Sequence, residues 1–267
     1  MKKQATPERH NKKNRKFWIA LAIIAMVMIA CGAFVFVKYS HYVSKVDGYN
    51  EAVGDYNVVA EGYISLIQTT SVENINGMPT QLTYKKEAQK NLFSFVETTF
   101  ATSGAGIEQM KSEVEAETEE LVLEYLIAEQ ITNPSSEWIH QRLMNCETVL
   151  ETQKVTEDND PNGYLGAEGG YTGCVYFTVK NIDPESVKGA DIVTKGTDVG
   201  GAIEVYENQE DAMIRCEYLS QFDNTLLYSG SYAIVGTMVV RTSYILSNEQ
   251  QSELTSEIVN VLTELLE

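Results

Sequence analysis

Apolar residues run without a break or a charge from Phe17 to Val37 (FWIALAIIAMVMIACGAFVFV). At ~1.5 Å of rise per residue, a helix of that length matches the ~30 Å hydrocarbon core of a bilayer, where only a helix satisfies its own backbone. Beyond it, Tyr39, Tyr42, Val46, Tyr49, Val53, Tyr56, Ala60, Tyr63 and Ile67 follow one another at spacings of three and four, which is a heptad seam. Tyr42, Tyr49, Tyr56 and Tyr63 therefore share one edge of a helix that continues the apolar segment outward. Such an edge needs a partner: either later helices of the same chain, or a second copy in a homo-oligomer.

Asn76-Gly77-Met78-Pro79 marks a turn after this helix. Lys85 to Thr102, with Leu92, Phe93, Val96 and Phe100 on one face, reads as a second helix, and Gln109 to Ile131 as a third. The glutamates between Glu108 and Glu129 form a solvated face. Residues 38–131 are thus expected to be a helical membrane-proximal region.

From residue 132 the pattern becomes mixed. Asn133 to Glu137 supplies cap residues ahead of Trp138, Ile139, Leu143, Cys146 and Leu150, which fall on one helical face. Cys174 to Lys180 (CVYFTVK), Gly201 to Tyr206 (GAIEVY) and Tyr232 to Thr242 (YAIVGTMVVRT) read as strands, with a helix from Asn208 through Tyr218 between the second and third. Ser247 and Gln250 form a capping box that opens a last amphipathic helix carrying Leu254, Ile258, Leu262 and Leu265. The order α-β-β-α-β-α predicts an α+β module over 132–267, a small three-stranded sheet with helices on one face.

Charge orients this arrangement. Residues 1–16 hold seven Lys/Arg and one Glu, a charge of +6, whereas from Lys38 onward 13 basic residues face 37 acidic ones, a charge of −24. The basic head keeps the N-terminus in the cytoplasm, so residues 17–37 become a single-pass transmembrane anchor and the C-terminus lies outside. An anionic body repels phosphate backbones, which excludes nucleic acid as a partner. Met28-Ile29-Ala30-Cys31 carries an alternative, a lipobox with Cys31 lipidated; against it, Gly32 to Val37 stay apolar where a lipoprotein tether is small and polar.

Chemistry-bearing patterns are few. Cys146, Cys174 and Cys216 form no disulfide framework and no C-x-x-C pair. Asp158, Asp160 and Asn162 with Gly163 open like a calcium loop, in which alternate side-chain oxygens converge on a hard cation; the twelfth position is Gly169, however, and Asp160-Pro161-Asn162-Gly163 is also a good β-turn by itself. These three residues are the candidate metal site, with calcium as its cation. The glycines from Gly163 to Gly173 have no strand before them and no helix after, so they do not cradle phosphate. There is no G-x-S-x-G, and His140 is the one histidine far from the membrane segment; no catalytic residue can be assigned.

Several spaced motifs carry a resemblance: TEDNDPNGYLGAEGGYT (Thr156 to Thr172) followed by CVYF, then GxIEVYxxxEDAxxRxEYL (Gly201 to Leu219), then VxRTSxxLSxxQ ending at Gln250. Over residues 134–267 the chain resembles an uncharacterised module of membrane-anchored or secreted proteins of Gram-positive bacteria. The resemblance implies a location and a module, with no reaction attached, and does not reach the helical region. The sequence thus points to a binding or scaffolding module of the cell envelope, with the lipid bilayer and an envelope protein or wall component as partners. An envelope hydrolase without a recognisable motif and a calcium-dependent module are the alternatives.

Overall fold

In the computed structural model, residues 8–70, 82–96 and 105–265 are described. Helix α1 runs unbroken over Glu8–Thr70, so the apolar segment and the tyrosine seam are one element, as their spacing predicts. Its apolar stretch, Phe17 to Val37, is exposed along its whole length. Among the described residues this is the one helix long and apolar enough to cross a membrane.

The chain divides into two compact units, Met1–Tyr56 with Lys85–Ala116, and Asn57–Tyr84 with Glu117–Glu267. Helices α1 and α3 (Ala105–Gln130) contribute to both.

In the first unit Tyr42, Tyr49 and Tyr56 are buried, and what covers them is the chain itself. Their cover is not the helix expected over Lys85 to Thr102: residues 82–91 are non-helical, and α2 is confined to Leu92–Val96. The physical reason lies in where the backbone groups of this segment go. The Asn50 amide donates to the Ala88 carbonyl at 3.1 Å and accepts from the Ala88 N–H at 2.8 Å, doing for that residue what a neighbouring strand would do. The Tyr42 hydroxyl donates to the Gln89 carbonyl at 2.7 Å and the Tyr49 hydroxyl to the Lys86 carbonyl at 3.4 Å. Lys85 Nζ stands 4.6 Å above the Tyr56 ring. Groups engaged in this way are not available to an internal helical ladder. The expected turn at 76–79 and residues 97–102 lie outside the described residues.

The second unit is built on a five-stranded antiparallel sheet, not the three strands expected, in the order β1-β2-β3-β5-β4. Two features account for the difference. β1 (Val149–Lys154) lies where the helix beginning at residue 136 was expected to continue; α4 is only Ser136–Leu143. The stretch expected as one strand from Tyr232 to Thr242 folds back on itself as β4 (Tyr232–Val235) and β5 (Met238–Thr242). Gly236 makes the reversal with φ +60°, and a Cβ there would collide with the Ile131 carbonyl.

Both faces of the sheet are covered, not one. β2 (Gly173–Val179), β3 (Gly200–Val205) and β5 are buried at every position, the pattern of strands with helices on each side. Cys174, Tyr176, Ala202 and Val239 on one face join a cluster with Val193 of α5 (Ile192–Lys195) and Ala212 and Leu219 of α6 (Gln209–Ser220). The alternate residues, among them Phe177, Ile203 and Val240, are as deeply buried. α4 and α7 (Asn248–Thr263), which pack on each other and on β2 and β5, cover that side. α7 opens with the expected capping box: Gln250 N–H donates to Ser247 Oγ at 3.2 Å, and Ser247 N–H to Gln250 Oε1 at 2.9 Å.

Replacing Asn50 by alanine removes both bonds to Ala88. Limited proteolysis of the full chain in detergent is expected to cut within residues 82–91 faster than in the parent, at a stability loss of about 1–2 kcal/mol. Unchanged cutting there would show that the amide does not hold the segment.

Candidate functional site

On the α6 side of the sheet, two opposite charges sit in strands that are otherwise apolar. Glu204 on β3 is 0% exposed. Arg241 on β5 is opposite Ala202, two residues from Glu204 and on the same face. Arg241 Nη1 donates to Glu204 Oε1 at 2.8 Å. Arg215 comes down from α6 and grips the same carboxylate with two donors, Nε to Oε2 at 2.7 Å and Nη2 to Oε1 at 2.9 Å. The Tyr206 hydroxyl completes the shell, donating to Oε2 at 3.0 Å. Burial pushes the Glu204 carboxyl up, but the Arg215 hydrogen bonds and the charges of Arg241 and Arg215 outweigh it and hold the group below the ordinary glutamate range. Burial raises the neighbouring thiols: Cys174 well above its ordinary value, and Cys216 to about 11. Cys174 belongs to the apolar cluster of this face, and Cys216 packs against it.

Arg241 passes this anchorage on to the surface. Its Nη2 donates to Ser229 Oγ at 3.1 Å, in the connection between α6 and β4. There, Asp223, Asn224, Thr225, Tyr228, Ser231 and Tyr232, with Asn248 at the start of α7, line an open groove of about 630 Å³. Tyr232 donates to Asp223 Oδ2 at 2.9 Å, Tyr228 donates to Gln251 Oε1 at 3.2 Å, and the Ser231 and Thr242 hydroxyls pair at 2.6 Å. Gly230 underlies it with φ +107°, where a Cβ would collide with the Thr242 carbonyl. Burial, then the bond and charge of Asp223, raise the Tyr232 hydroxyl pKa, so it stays a protonated donor. The lining therefore combines amides, hydroxyls, one carboxylate and two phenol rings. That is a surface for a neutral, hydrogen-bond-rich ligand.

The candidate metal residues lie elsewhere. Asp158 and Asn162 are exposed, and Asp160 is half-buried. Asp160 accepts from the Asn162 N–H at 3.0 Å, from the Leu165 N–H at 2.8 Å and from the Tyr171 hydroxyl. Gly163 has φ +65°. Burial raises the Asp160 carboxyl, and the Tyr171 and backbone bonds outweigh it, so its pKa is lowered. These bonds tie the Asp160 carboxylate to the loop that follows it and to Tyr171. Among the described residues no group of three or more His, Cys, Asp or Glu side chains is placed to hold a metal ion. His140 on α4 pairs through Nδ1 with the Thr152 hydroxyl of β1. Cys146 is buried, its thiol raised to about 12 by desolvation and then by the charge of Glu257.

Sequence reasoning gave Glu204, Arg215 and Arg241 no role, although all three stand in the motifs quoted above. A charge of either sign inside an apolar strand was the available signal. The groove had none, because its residues come from one connecting loop, the first residue of β4 and a distant helix start. Comparison of the chain with protein-family models, with curated proteins and with solved structures finds no match.

Glu204→Ala leaves two largely buried guanidinium groups facing each other without their counter-charge. The expected loss is about 3–5 kcal/mol in urea unfolding. The parent is expected to hold the Glu204 contribution fully above the unfolded glutamate value of ~4.3, and to lose it as pH falls through the depressed folded value. Glu204→Gln should be less stable at neutral pH and lose less on acidification. A parent and a Gln variant with parallel pH profiles would contradict the ion pairing.

Proposed function

We propose that this chain is a single-pass, membrane-anchored module of a bacterial cell envelope, which binds a neutral wall glycan on the outer face through the groove between Asp223 and Asn248. The observation that carries the anchoring is the exposed, uncharged stretch Phe17 to Val37, in a helix that continues into the folded body. The +6 head and the −24 body give the orientation its support, and the resemblance over residues 134–267 supports the envelope.

The ligand class follows from charge and lining. A body this acidic repels anionic polymers. A polar groove with aromatic rings suits a polyhydroxyl chain, whose hydroxyls meet amide and carboxylate groups while its ring faces lie on Tyr228 and Tyr232. The hydroxyls of the groove pair with amides, a carboxylate and one another, and its described lining holds one carboxylate, Asp223, where glycoside hydrolysis draws on two, which favours binding over hydrolysis.

The test has two arms. Protease added to intact cells should remove a tag placed at Glu267 and leave a membrane-embedded remnant; a protected tag overturns the orientation. Full-length protein in detergent should sediment with wall sacculi stripped of their anionic polymers, and Tyr232→Ala combined with Asn248→Ala should weaken this at least ~10-fold, equivalent to ~1.4 kcal/mol. Undiminished sedimentation of the double variant overturns the assignment of the groove.

A further inference from the structure

The second unit has another cavity, of about 380 Å³, on the opposite side of the sheet. Leu126, Glu129 and Gln130 of α3, Trp138 and Arg142 of α4, and Leu265 just beyond α7 form its walls. Arg142 is 2% exposed, and its guanidinium stacks on the Trp138 indole, 5.1 Å from Cζ to the ring centroid. Nη2 donates to the Glu264 carbonyl. Nε and Nη1 are buried and donate to nothing; among the described residues they are the buried side-chain polar atoms without a hydrogen-bond partner.

This is the reverse of how the chain treats its other buried charges. Glu204, Arg215 and Arg241 satisfy one another, whereas Arg142 stays charged, because a guanidinium does not give up its proton in proteins, yet part of its donor fork is left empty. A buried polar group left unmet calls for an explanation. An apolar side chain of similar length would cover Trp138 without that penalty. The surroundings say what would complete the fork. A carboxylate accepts from Nε or from Nη1, in either case beside Nη2, one side of the guanidinium at a time. Leu126, Trp138 and Leu265 offer an apolar lining, and Glu129, exposed on the α3 wall, offers a negative charge to a cation. Gln130 ties down the last wall, donating to the Leu262 carbonyl at 2.9 Å and the Glu264 carbonyl at 3.2 Å.

We propose that this cavity is a binding site for a small zwitterion, a free amino acid with an apolar side chain. Its carboxylate accepts from one of the two unmet donors of Arg142, its ammonium group faces Glu129, and its side chain lies among Leu126, Trp138 and Leu265. Because Nε and Nη1 are covered, the ligand enters as the Leu265 wall yields, the one wall that is not part of a helix. This site is independent of the glycan groove and stands or falls separately from it.

The test uses the full chain in detergent with Trp18→Phe, so that Trp138 alone reports by fluorescence. L-Leucine and L-phenylalanine are the probes; L-leucinamide lacks the carboxylate, and 4-methylpentanoate lacks the ammonium. At least one amino acid should change Trp138 emission and raise the thermal midpoint, and both truncated analogues should bind at least ~10-fold more weakly. Arg142→Met should abolish the response while leaving the ligand-free midpoint equal to the parent or higher, and Glu129→Gln should weaken the amino acid without weakening 4-methylpentanoate. Silence from both amino acids, or equal binding of 4-methylpentanoate, overturns the proposal. So does a lower ligand-free midpoint for Arg142→Met, since the chain itself would then be satisfying the arginine.

Discussion

A carboxylate removed from water is costly unless its charge and its lone pairs are all met. Glu204, fully buried in the middle of the sheet, meets that condition with four donors from three residues. The consequence is geometric. Arg215 pins α6 against the sheet, Arg241 locks the register of β5 beside β3, and the second hand of Arg241 reaches Ser229 in the loop that forms the groove. An apolar core would hold the same layers together, but contacts between methyl groups do not fix the direction of a loop. Here one buried anion fixes a strand, a helix and a surface connection at once.

The two proposed binding surfaces illustrate opposite uses of buried polarity. Beneath the groove the charges are complete, so the surface above is held in place and is free to offer hydroxyls and amides to a ligand. At Arg142 the set is incomplete, which leaves a demand that a ligand can fill. The first arrangement suits a site formed in advance; the second suits one that tightens as it is occupied. In the other unit, the Tyr42 and Tyr49 hydroxyls donate to the backbone of residues 86–89 and the Asn50 amide pairs with it, so this part of the heptad edge is engaged by its own chain.

Much of this was legible in the sequence where a single physical constraint dominates. The uncharged stretch of bilayer length, the tyrosines every seven residues and the Ser247/Gln250 capping box each gave their element directly. Other features depend on partners that no local pattern names. β1 is a polar edge strand with only Val149 buried, so it lacks the alternation that marks a half-buried strand. The Gly236 reversal sits inside an apolar run that reads continuously. Residues 85–91 have helical composition, yet their backbone is claimed by side chains some forty positions earlier. The continuous burial of β2 carried a readable signal of cover on both faces, since CVYFTV shows no polar side. The groove could not be read, because Tyr232 and Asn248 meet only after α6, β4 and β5 are in place.

Hydrogen exchange on the full chain, comparing the parent with Arg241→Met, separates a charge that merely sits in the core from one that positions the surface. If the Glu204 cluster fixes the groove wall, amides of residues 223–231 should exchange at least ~10-fold faster in the variant, while those of α7 beyond its first turn stay protected as in the parent. Equal exchange of residues 223–231 in the two proteins, or a uniform rise across the whole unit, would contradict that account.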